Sequence, residues 1–231
     1  DSVTSIGDDA FYKCSSLETV SIPDSVTTIG NSAFYKCSSL ENVSIPNSVT
    51  SIGESAFWGC TSLETVSILD SVTTIGDQAF ASCSVIKTLI INTPLIGSTD
   101  DGFVPNYFPD SKSKIEDVTI GDSVTSIGAS AFHECISLKT LRLGSGVTYI
   151  GSNAFSKVQL KILVTDVVFD RFIGSHFPES LATLSSVTIG SSVTDINTKA
   201  FQGCTALETV FIPPSVTAVA ANAFGGCTSL L

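Results

Sequence analysis

After Asp1 the chain reads Ser2-Val-Thr-Ser-Ile-Gly-Asp-Asp-Ala-Phe-Tyr-Lys-Cys-Ser-Ser-Leu-Glu-Thr-Val-Ser-Ile-Pro-Asp24. The same 23-residue pattern returns as Ser25–Asn47 and Ser48–Asp70, and continues with drift to the C-terminus. A fixed period of this size is typical of a solenoid, in which each repeat forms one coil and stacks on its neighbours. The first residue of the Leu-x-x-Val-x-Ile motif recurs at Leu17, Leu40, Leu63, Ile86, Ile115, Leu138, Leu160, Leu184, Leu207 and Leu230. The spacing therefore predicts about ten coils in a single solenoid that covers residues 1–231.

Each repeat contains two extended segments and one turn. The stretch Glu18-Thr-Val-Ser-Ile22 predicts a short strand whose alternate side chains point inward. The stretch Ser-Val-Thr-x-Ile-Gly predicts a second extended segment that ends at a glycine turn. Ala10, Phe11 and Cys14 then share one face of a helical or 3₁₀ turn, because they are spaced by three and four residues. Since every coil is joined to the next in the same direction, the strands are expected to stack in parallel over a hydrophobic interior.

Two coils, at about residues 92–114 and 165–183, depart from the pattern in the same way. They contain Phe103-Val-Pro-Asn-Tyr-Phe-Pro-Asp-Ser111 and Phe172-Ile-Gly-Ser-His-Phe-Pro-Glu-Ser180, which match at both Phe residues, the Pro, the acid and the Ser. The extra residues are expected to bulge from one flank. The interior Phe position is filled either by the first Phe of each stretch or by Phe108 and Phe177, and the sequence leaves both alternatives open.

The full motif, Leu-x-x-Val-x-Ile-Pro-x-Ser-Val-Thr-x-Ile-Gly-x-x-Ala-Phe-x-x-Cys, resembles the BspA-type leucine-rich repeats over nearly the whole chain. The resemblance implies a right-handed α/β solenoid, with parallel strands on the concave face and short helical or 3₁₀ turns on the outer side. It also implies a cell-surface or secreted protein of bacteria or protists that acts in adhesion and protein binding. The family has no shared catalytic residues.

Charge and hydropathy restrict the partners that the chain is expected to have. The net charge is −11, which argues against nucleic acid or an anionic membrane surface as a partner. No apolar run reaches the ~18–20 residues that a membrane span requires, so membrane insertion is not expected. Solenoids need a polar cap at each end, and neither end of this sequence offers one. We therefore interpret the chain as a segment of a longer protein whose caps are missing.

All seven cysteines occupy the same position of the repeat. Metal motifs group several ligands within a few residues, whereas each coil here contributes one cysteine. Cysteines in stacked coils could come within disulfide range, but their side chains are expected to point in parallel toward the interior. Val158 occupies the same position in one coil, which favours a row of buried, reduced, apolar side chains. We expect no metal, no cofactor and no enzymatic activity, because His133 and His176 fall in different coils and no Gly-x-Ser-x-Gly motif occurs.

Outward-facing strand residues form the first candidate binding surface. They are expected to line up in rows across the coils, and the candidates are Glu18, Glu41 and Glu64 in one row, Asn42 and Thr65 in the next, and Arg142 and Phe211 in the third. The stacked carboxylates either await a basic partner or a cation, or form a solvated row. The curved face of a solenoid offers an extended surface for a protein ligand.

An aromatic column forms the second candidate surface. In three consecutive coils the residue after the repeated Phe is aromatic. These residues are Tyr12, Tyr35 and Trp58, and they lie next to Lys13 and Lys36. Exposed aromatic side chains in a row are typical contact residues at interfaces. The alternative is that they cover the short turns and seal the core.

These observations predict a non-catalytic module that binds a protein, or a host or matrix surface, through the strand face and the aromatic flank. Two alternatives remain open. The chain could be a purely structural spacer, or the stacked Ser-Val-Thr segments could form a flat Ser/Thr ladder similar to those of ice-binding β-solenoids.

Overall fold

A computed structural model describes residues 2–97, 102–167 and 173–231, and it shows a solenoid of parallel strands. Neighbouring strands come from consecutive coils, so the order of strands in the sheet follows the order in the sequence. In the described part of the chain the main sheet has nine strands. We call this sheet the long-strand sheet, and its strands are Thr19–Ser21, Asn42–Ser44, Thr65–Ile68, Thr88–Ile91, Asp117–Ile120, Thr140–Leu143, Ile162–Thr165, Ser186–Ile189 and Thr209–Phe211.

The Ser-Val-Thr-x-Ile-Gly segments form a second set of parallel strands, each two residues long. Within the described residues this set is divided into sheets of four, two and two strands. The divisions fall at the two irregular coils, where the segment has a different length. The short strands are Ser5–Ile6, Thr28–Ile29, Ser51–Ile52 and Thr74–Ile75, then Ser126–Ile127 and Tyr149–Ile150, and finally Asp195–Ile196 and Ala218–Val219.

The interior is a continuous column of stacked side chains, as the repeat predicts. Phe34 lies between Phe11 and Phe57, with ring centroids 5.0 and 5.1 Å away and rings within 6° of parallel. Its ring is fully buried, and most of the repeated Leu, Val, Ile and Ala side chains of the inner coils are buried too. Each buried aromatic or aliphatic side chain contributes about 1.5–3 kcal/mol, and an aromatic pair adds about 0.5–1.5 kcal/mol. Stability therefore accumulates coil by coil along the stack.

In the regular coils, the predicted helical or 3₁₀ turn is a run of hydrogen-bonded turns that includes two left-handed residues. Asp9 and Lys13 have φ of 56° and 58°, and equivalent positive values recur in the following coils. Left-handed φ costs a non-glycine residue about 1–2 kcal/mol. The N–H groups of these two residues donate to the next coil, to the carbonyls of Asn31 and Tyr35 at 2.9 and 2.7 Å. The inter-coil hydrogen bonds offset the cost of the turn conformation.

The repeated glycine allows the coils to approach closely. A Cβ atom added at Gly53 would lie 2.6 Å from backbone atoms of Gly30 and Asn31 in the preceding coil. The stacking of one coil on another therefore excludes a side chain at this position. Gly53 is not one of the glycines with positive φ. The close approach of the coils, rather than a left-handed turn, therefore explains why this residue is a glycine.

The two irregular coils contain the short helices. They are the 3₁₀ helix Pro94–Gly97 and the α-helix Phe103–Tyr107 in the first, and the 3₁₀ helices Ile173–Ser175 and Pro178–Ser180 in the second. Phe108 stacks on Phe80, with ring centroids 4.9 Å apart, and Phe177 packs against Phe155 with tilted rings whose centroids are 4.6 Å apart. The later Phe of each stretch therefore continues the interior column. Phe103 is also fully buried, beside Phe108, whereas Phe172 lies outside the described residues.

Once Phe108 and Phe177 are aligned with the column, a serine falls at the cysteine position of each irregular coil. The buried hydroxyl of Ser111 donates to the carbonyl of Cys83. The buried hydroxyl of Ser180 donates to the carbonyl of Val158 at 3.1 Å and accepts the N–H of Leu160 at 3.0 Å. The three-residue spacing from Phe to Ser is the sequence signal for this alignment.

Candidate functional site

A groove along the edge of the long-strand sheet brings four of the predicted site residues together. Glu41, Asn42, Glu64 and Thr65 all line a cavity of about 810 Å³ that spans consecutive coils. Asn42 and Thr65 are direct partners in the parallel register of neighbouring strands. Other lining residues, which the sequence did not single out, include Thr61, Ser62, Lys87, Lys114, Glu116 and Ser137. The groove is therefore polar, with both signs of charge.

Ion pairs between consecutive coils organise the charges of this groove. Lys87 Nζ lies 3.1 Å from Glu64 Oε1, and Lys139 Nζ lies 2.8 Å from Glu116 Oε2. The hydrogen bond and charge of Lys139 hold the pKa of the Glu116 carboxyl below its ordinary value. These side chains are about half exposed, so each pair contributes only about 0–1 kcal/mol to stability. In the described part of the chain Glu41 has no ion-pair partner within 4 Å.

The remaining strand-face residues lie apart from the groove. Glu18 is exposed one coil before Glu41, and its carbonyl accepts the N–H of Glu41 at 3.2 Å. Arg142 and Phe211 share the third row of the sheet but lie three strands apart. Phe211, which is 58% exposed, is the one aromatic residue in the nine described strands of the long-strand sheet. The structure thus places the seven strand-face candidates on one surface without gathering them into one site.

The aromatic column is a stack of rings that do not line this groove. Tyr12 and Tyr35 have ring centroids 5.0 Å apart, and Tyr35 and Trp58 have centroids 4.7 Å apart, with rings within 12° of parallel. The sequence did not predict how the neighbouring lysines are held. Lys13 Nζ lies 4.9 Å from the centroid of Tyr12, and Lys36 Nζ lies 5.2 Å from that of Trp58. Stacking and cation–π contacts therefore fix all five side chains on the surface.

All seven cysteines lie in the described part of the chain and are free thiols. Five are buried, while Cys14 is exposed and Cys227 is half-buried because they belong to the first and last coils. The Cys37 thiol donates to the carbonyl of Phe11 in the preceding coil at 3.1 Å, and burial raises its pKa to about 11. Burial likewise raises the pKa of Cys135 and Cys204 to about 12. Thiols with raised pKa are poor nucleophiles and poor metal ligands.

One side-chain cluster joins His133 and Glu134 to residues of the two neighbouring coils. His133 Nδ1 lies 2.8 Å from Ser156 Oγ, and its Nε2 lies 3.7 Å from Glu134 Oε1. The Glu134 carboxylate accepts hydrogen bonds from Lys112 and Lys157, both at 2.9 Å, and these lysines lower its pKa to about 2. The carboxylate is thus committed to two ammonium groups and does not reach the imidazole at hydrogen-bond distance. This cluster is an ion-pair network that joins three coils.

The Thr residues that immediately precede the short strands form rows, as the Ser-Val-Thr repeats predict. The hydroxyls of Thr27, Thr50 and Thr73 each donate to the backbone carbonyl of the Thr in the preceding coil, at 3.2 Å. Within the described residues the longest uninterrupted short-strand sheet has four strands. The hydroxyls therefore stabilise the stack, and the flat area that the rows offer is small.

Neither a membrane helix nor a metal cluster is found within residues 2–97, 102–167 and 173–231. None of the helices in these ranges combines the length and apolar character needed to cross a membrane. No group of three or more His, Cys, Asp or Glu side chains in these ranges is arranged to hold a metal ion.

Comparison with known structures identifies other repeat solenoids. The chain is similar to a leucine-rich repeat protein from Bacteroides ovatus ATCC 8483 (28% identity, 99% of this chain and 63% of that chain, TM-score 0.47). It is also similar to a leucine rich cell surface protein from Faecalibacterium prausnitzii A2-165 (32% identity, 100% and 63%, TM-score 0.44). The chain thus spans 63% of the length of each of these proteins. TLR13, in its complex with ssRNA13, shares the fold at 15% identity (91% and 34%, TM-score 0.57).

Comparison with curated proteins gives no match. A family model described as "BspA type Leucine rich repeat region (6 copies)" matches residues 1–101 and 102–231. The two matches together cover the chain, and the repeated motif and parallel coils agree with them. The chain therefore belongs to the BspA-type leucine-rich repeat family.

Proposed function

We propose that the chain is a non-catalytic binding and adhesion module of a cell-surface or secreted protein. It binds a protein ligand, or a host or matrix surface, across the long-strand sheet and the aromatic flank. The observation that carries this proposal is the groove in which Glu41, Asn42, Glu64 and Thr65 meet. Membership of the BspA-type family supports the surface or secreted location.

The charges of the groove favour a ligand that brings basic groups. Glu41 has no ion-pair partner in the described part of the chain, whereas Glu64 and Glu116 are each paired with one lysine. A net charge of −11 also attracts basic surfaces over long range at low ionic strength. Because the contributing residues lie on successive rigid strands, the ligand would make many small contacts over a wide area.

A purely structural spacer would use the coils without binding through them. The polar groove and the stacked aromatic flank favour a binding role over this alternative, since a spacer requires neither feature.

The expected absence of catalysis rests on the chemistry of the surface. Among the residues that the structure describes, Lys87, Lys139 and Lys157 each donate to a glutamate of the preceding coil, and such ion pairs do not activate a nucleophile.

The test begins with a pull-down with the full chain, followed by mass spectrometry of the retained proteins. The affinity of a purified partner is then compared for Glu41→Lys, Trp58→Ala and the unchanged chain. Glu54→Lys is the matched control, because Glu54 is exposed on the short-strand side and the charge change is the same. Weaker binding by Glu41→Lys at an unchanged melting temperature supports the strand-face groove. If Glu41→Lys and Glu54→Lys bind the partner equally well, the groove is not the binding surface.

A further inference from the structure

We propose that the flank beside Trp58 binds an acidic glycan, in which sugar rings carry sulfate or carboxylate groups. This inference deepens the proposed function, on which it rests, by assigning a ligand class to the aromatic flank. It concerns the groove beside Trp58, Lys13 and Lys36, which adjoins the strand-face groove at Thr61, while Lys36, Trp58 and Glu41 each line only one of the two. The two can therefore be tested with different variants.

The flank contains a groove with a positive lining. A cavity of about 490 Å³ spans four consecutive coils and is lined by Lys13, Lys36, Trp58, Gly59 and several Ser and Thr residues. No carboxylate is among its lining residues. In a chain with 22 acidic and 11 basic residues, a groove lined only by basic and neutral side chains is a local reversal of charge. An anionic ligand is the complementary partner.

The two lysines are held in position without being neutralised. Within the described residues, Lys87, Lys112, Lys139 and Lys157 form ion pairs with carboxylates, whereas neither Lys13 nor Lys36 does. The ammonium groups of Lys13 and Lys36 instead lie over the aromatic rings of the column. A cation–π contact orients an ammonium group but leaves its charge available to an incoming anion.

Glycine opens the groove at the third coil. Lys13 follows Tyr12 and Lys36 follows Tyr35, but the residue that follows Trp58 is Gly59, with φ of 72°. A Cβ atom added at Gly59 would lie 3.2 Å from Lys36 Cγ, so the glycine makes room for the Lys36 side chain beside the indole. Trp58 and the Lys36 ammonium, 5.2 Å from the indole centroid, border the same opening. An apolar ring surface next to a cation suits a pyranose ring that bears an acidic group.

The backbone of the groove favours a glycan over an acidic peptide. The N–H groups of Lys13, Lys36 and Gly59 already donate to carbonyls of the next coil at 2.7, 2.7 and 2.9 Å. An extended peptide would therefore find no free strand edge with which to pair its own backbone. The hydroxyls of Ser38 and Thr61 donate to the preceding coil at 3.4 and 3.3 Å, which leaves their oxygen lone pairs to accept sugar hydroxyls.

The experiment measures binding of the full chain to defined oligosaccharides by isothermal titration calorimetry. The probes are a heparin hexasaccharide, a hyaluronan hexasaccharide and chemically desulfated heparin, with a poly-glutamate peptide as the competing class. We expect Lys36→Gln and Trp58→Ala each to weaken binding of the acidic glycan about tenfold, as the loss of one charge-assisted or stacking contact would. Trp58→Phe should retain most of the affinity. Lys139→Gln, which removes a lysine from the strand face, is the charge-matched control and should leave it within about twofold.

The outcomes separate this proposal from the proposed function. Binding to heparin but not hyaluronan assigns a sulfated ligand, and the reverse assigns a carboxylated one. Three results would overturn the proposal. They are an equal loss of glycan affinity in Lys36→Gln and Lys139→Gln, tighter binding of poly-glutamate than of the glycans, and no binding of either glycan at millimolar concentration. In each of those cases a protein partner that is lost on Glu41→Lys would leave the strand-face function standing. Circular dichroism of every variant confirms that the coils are intact.

Discussion

Ser180→Ala tests how the solenoid accommodates its irregular coils. The coil that contains Val158 is one residue short, since Leu160 follows Val158 by two residues, whereas Leu17 follows Cys14 by three. In the regular coil the Leu17 N–H donates to the Cys14 carbonyl at 3.0 Å. In the short coil the Ser180 hydroxyl of the next coil accepts the Leu160 N–H instead, and also donates to the Val158 carbonyl.

The magnitude follows from what the substitution leaves unpaired. Leu160 and Val158 are both fully buried, so removing the Ser180 hydroxyl leaves one donor and one acceptor without this partner. An unsatisfied buried group costs about 1–3 kcal/mol, so we expect Ser180→Ala to lower the free energy of unfolding by about 2–3 kcal/mol. Ser111→Ala removes a single hydrogen bond, to the Cys83 carbonyl, and should cost about 1 kcal/mol.

Urea denaturation followed by circular dichroism measures the loss of stability, and amide hydrogen exchange at Leu160 measures it locally. Exchange is informative because a repeat array need not unfold in one cooperative step. Ser38→Ala is the control, since the Ser38 hydroxyl donates at 3.4 Å at an exposed site. The reasoning is refuted if Ser180→Ala matches Ser38→Ala in stability and the Leu160 amide keeps its protection.

Three further predictions test the interior packing, the Glu134 ion pairs and the burial of the cysteines. Phe57→Ala, in the centre of the stacked column, should cost about 3–5 kcal/mol in urea denaturation, while Phe211→Ala on the exposed sheet face should cost less than about 0.5 kcal/mol. Because its pKa is lowered from 4.5 to about 2 in the folded chain, Glu134 stabilises the fold fully above pH 4.5 and loses this contribution as the pH falls to 2. The melting temperature of the unchanged chain should therefore exceed that of Glu134→Gln above pH 4.5 and converge with it near pH 2, and a constant difference would contradict the ion pairs. A thiol reagent should label exposed Cys14 in the native chain but reach Cys37, with its pKa near 11, only on unfolding, as mass spectrometry of the labelled peptides would show.

The sequence predicts the solenoid because each coil buries the same kinds of side chain at the same positions of the repeat. Residues such as Leu40, Val43 and Phe34 recur at fixed spacing, and only a stack of parallel coils buries all of them together. The same logic predicts that the cysteines lie in the interior. It also predicts which strand residues face outward, since strand side chains alternate.

The sequence does not predict features that arise between coils from atoms far apart in the chain. The left-handed conformation of Lys13 and Lys36 is not predicted by their residue type, since lysine normally avoids positive φ. A hydrogen bond to the next coil stabilises this conformation, and that bond is not visible in the sequence. The pairing of Ser180 with Leu160 likewise depends on a one-residue deletion in the preceding coil. Repeat spacing alone does not show either contact.

The candidate binding surfaces differ from the interior in how strongly packing restricts their residues. A substitution at an interior position must fit against two neighbouring coils, so the interior of the repeat stays nearly constant along the chain. A substitution at an outward position meets mainly solvent. Gly59, where the two preceding coils have lysine, leaves room for Lys36 beside Trp58 while the aromatic stack is kept. Binding specificity in such a solenoid therefore depends on which residues differ from coil to coil at the outward positions. The positions where the surface pattern breaks are the first places to mutate.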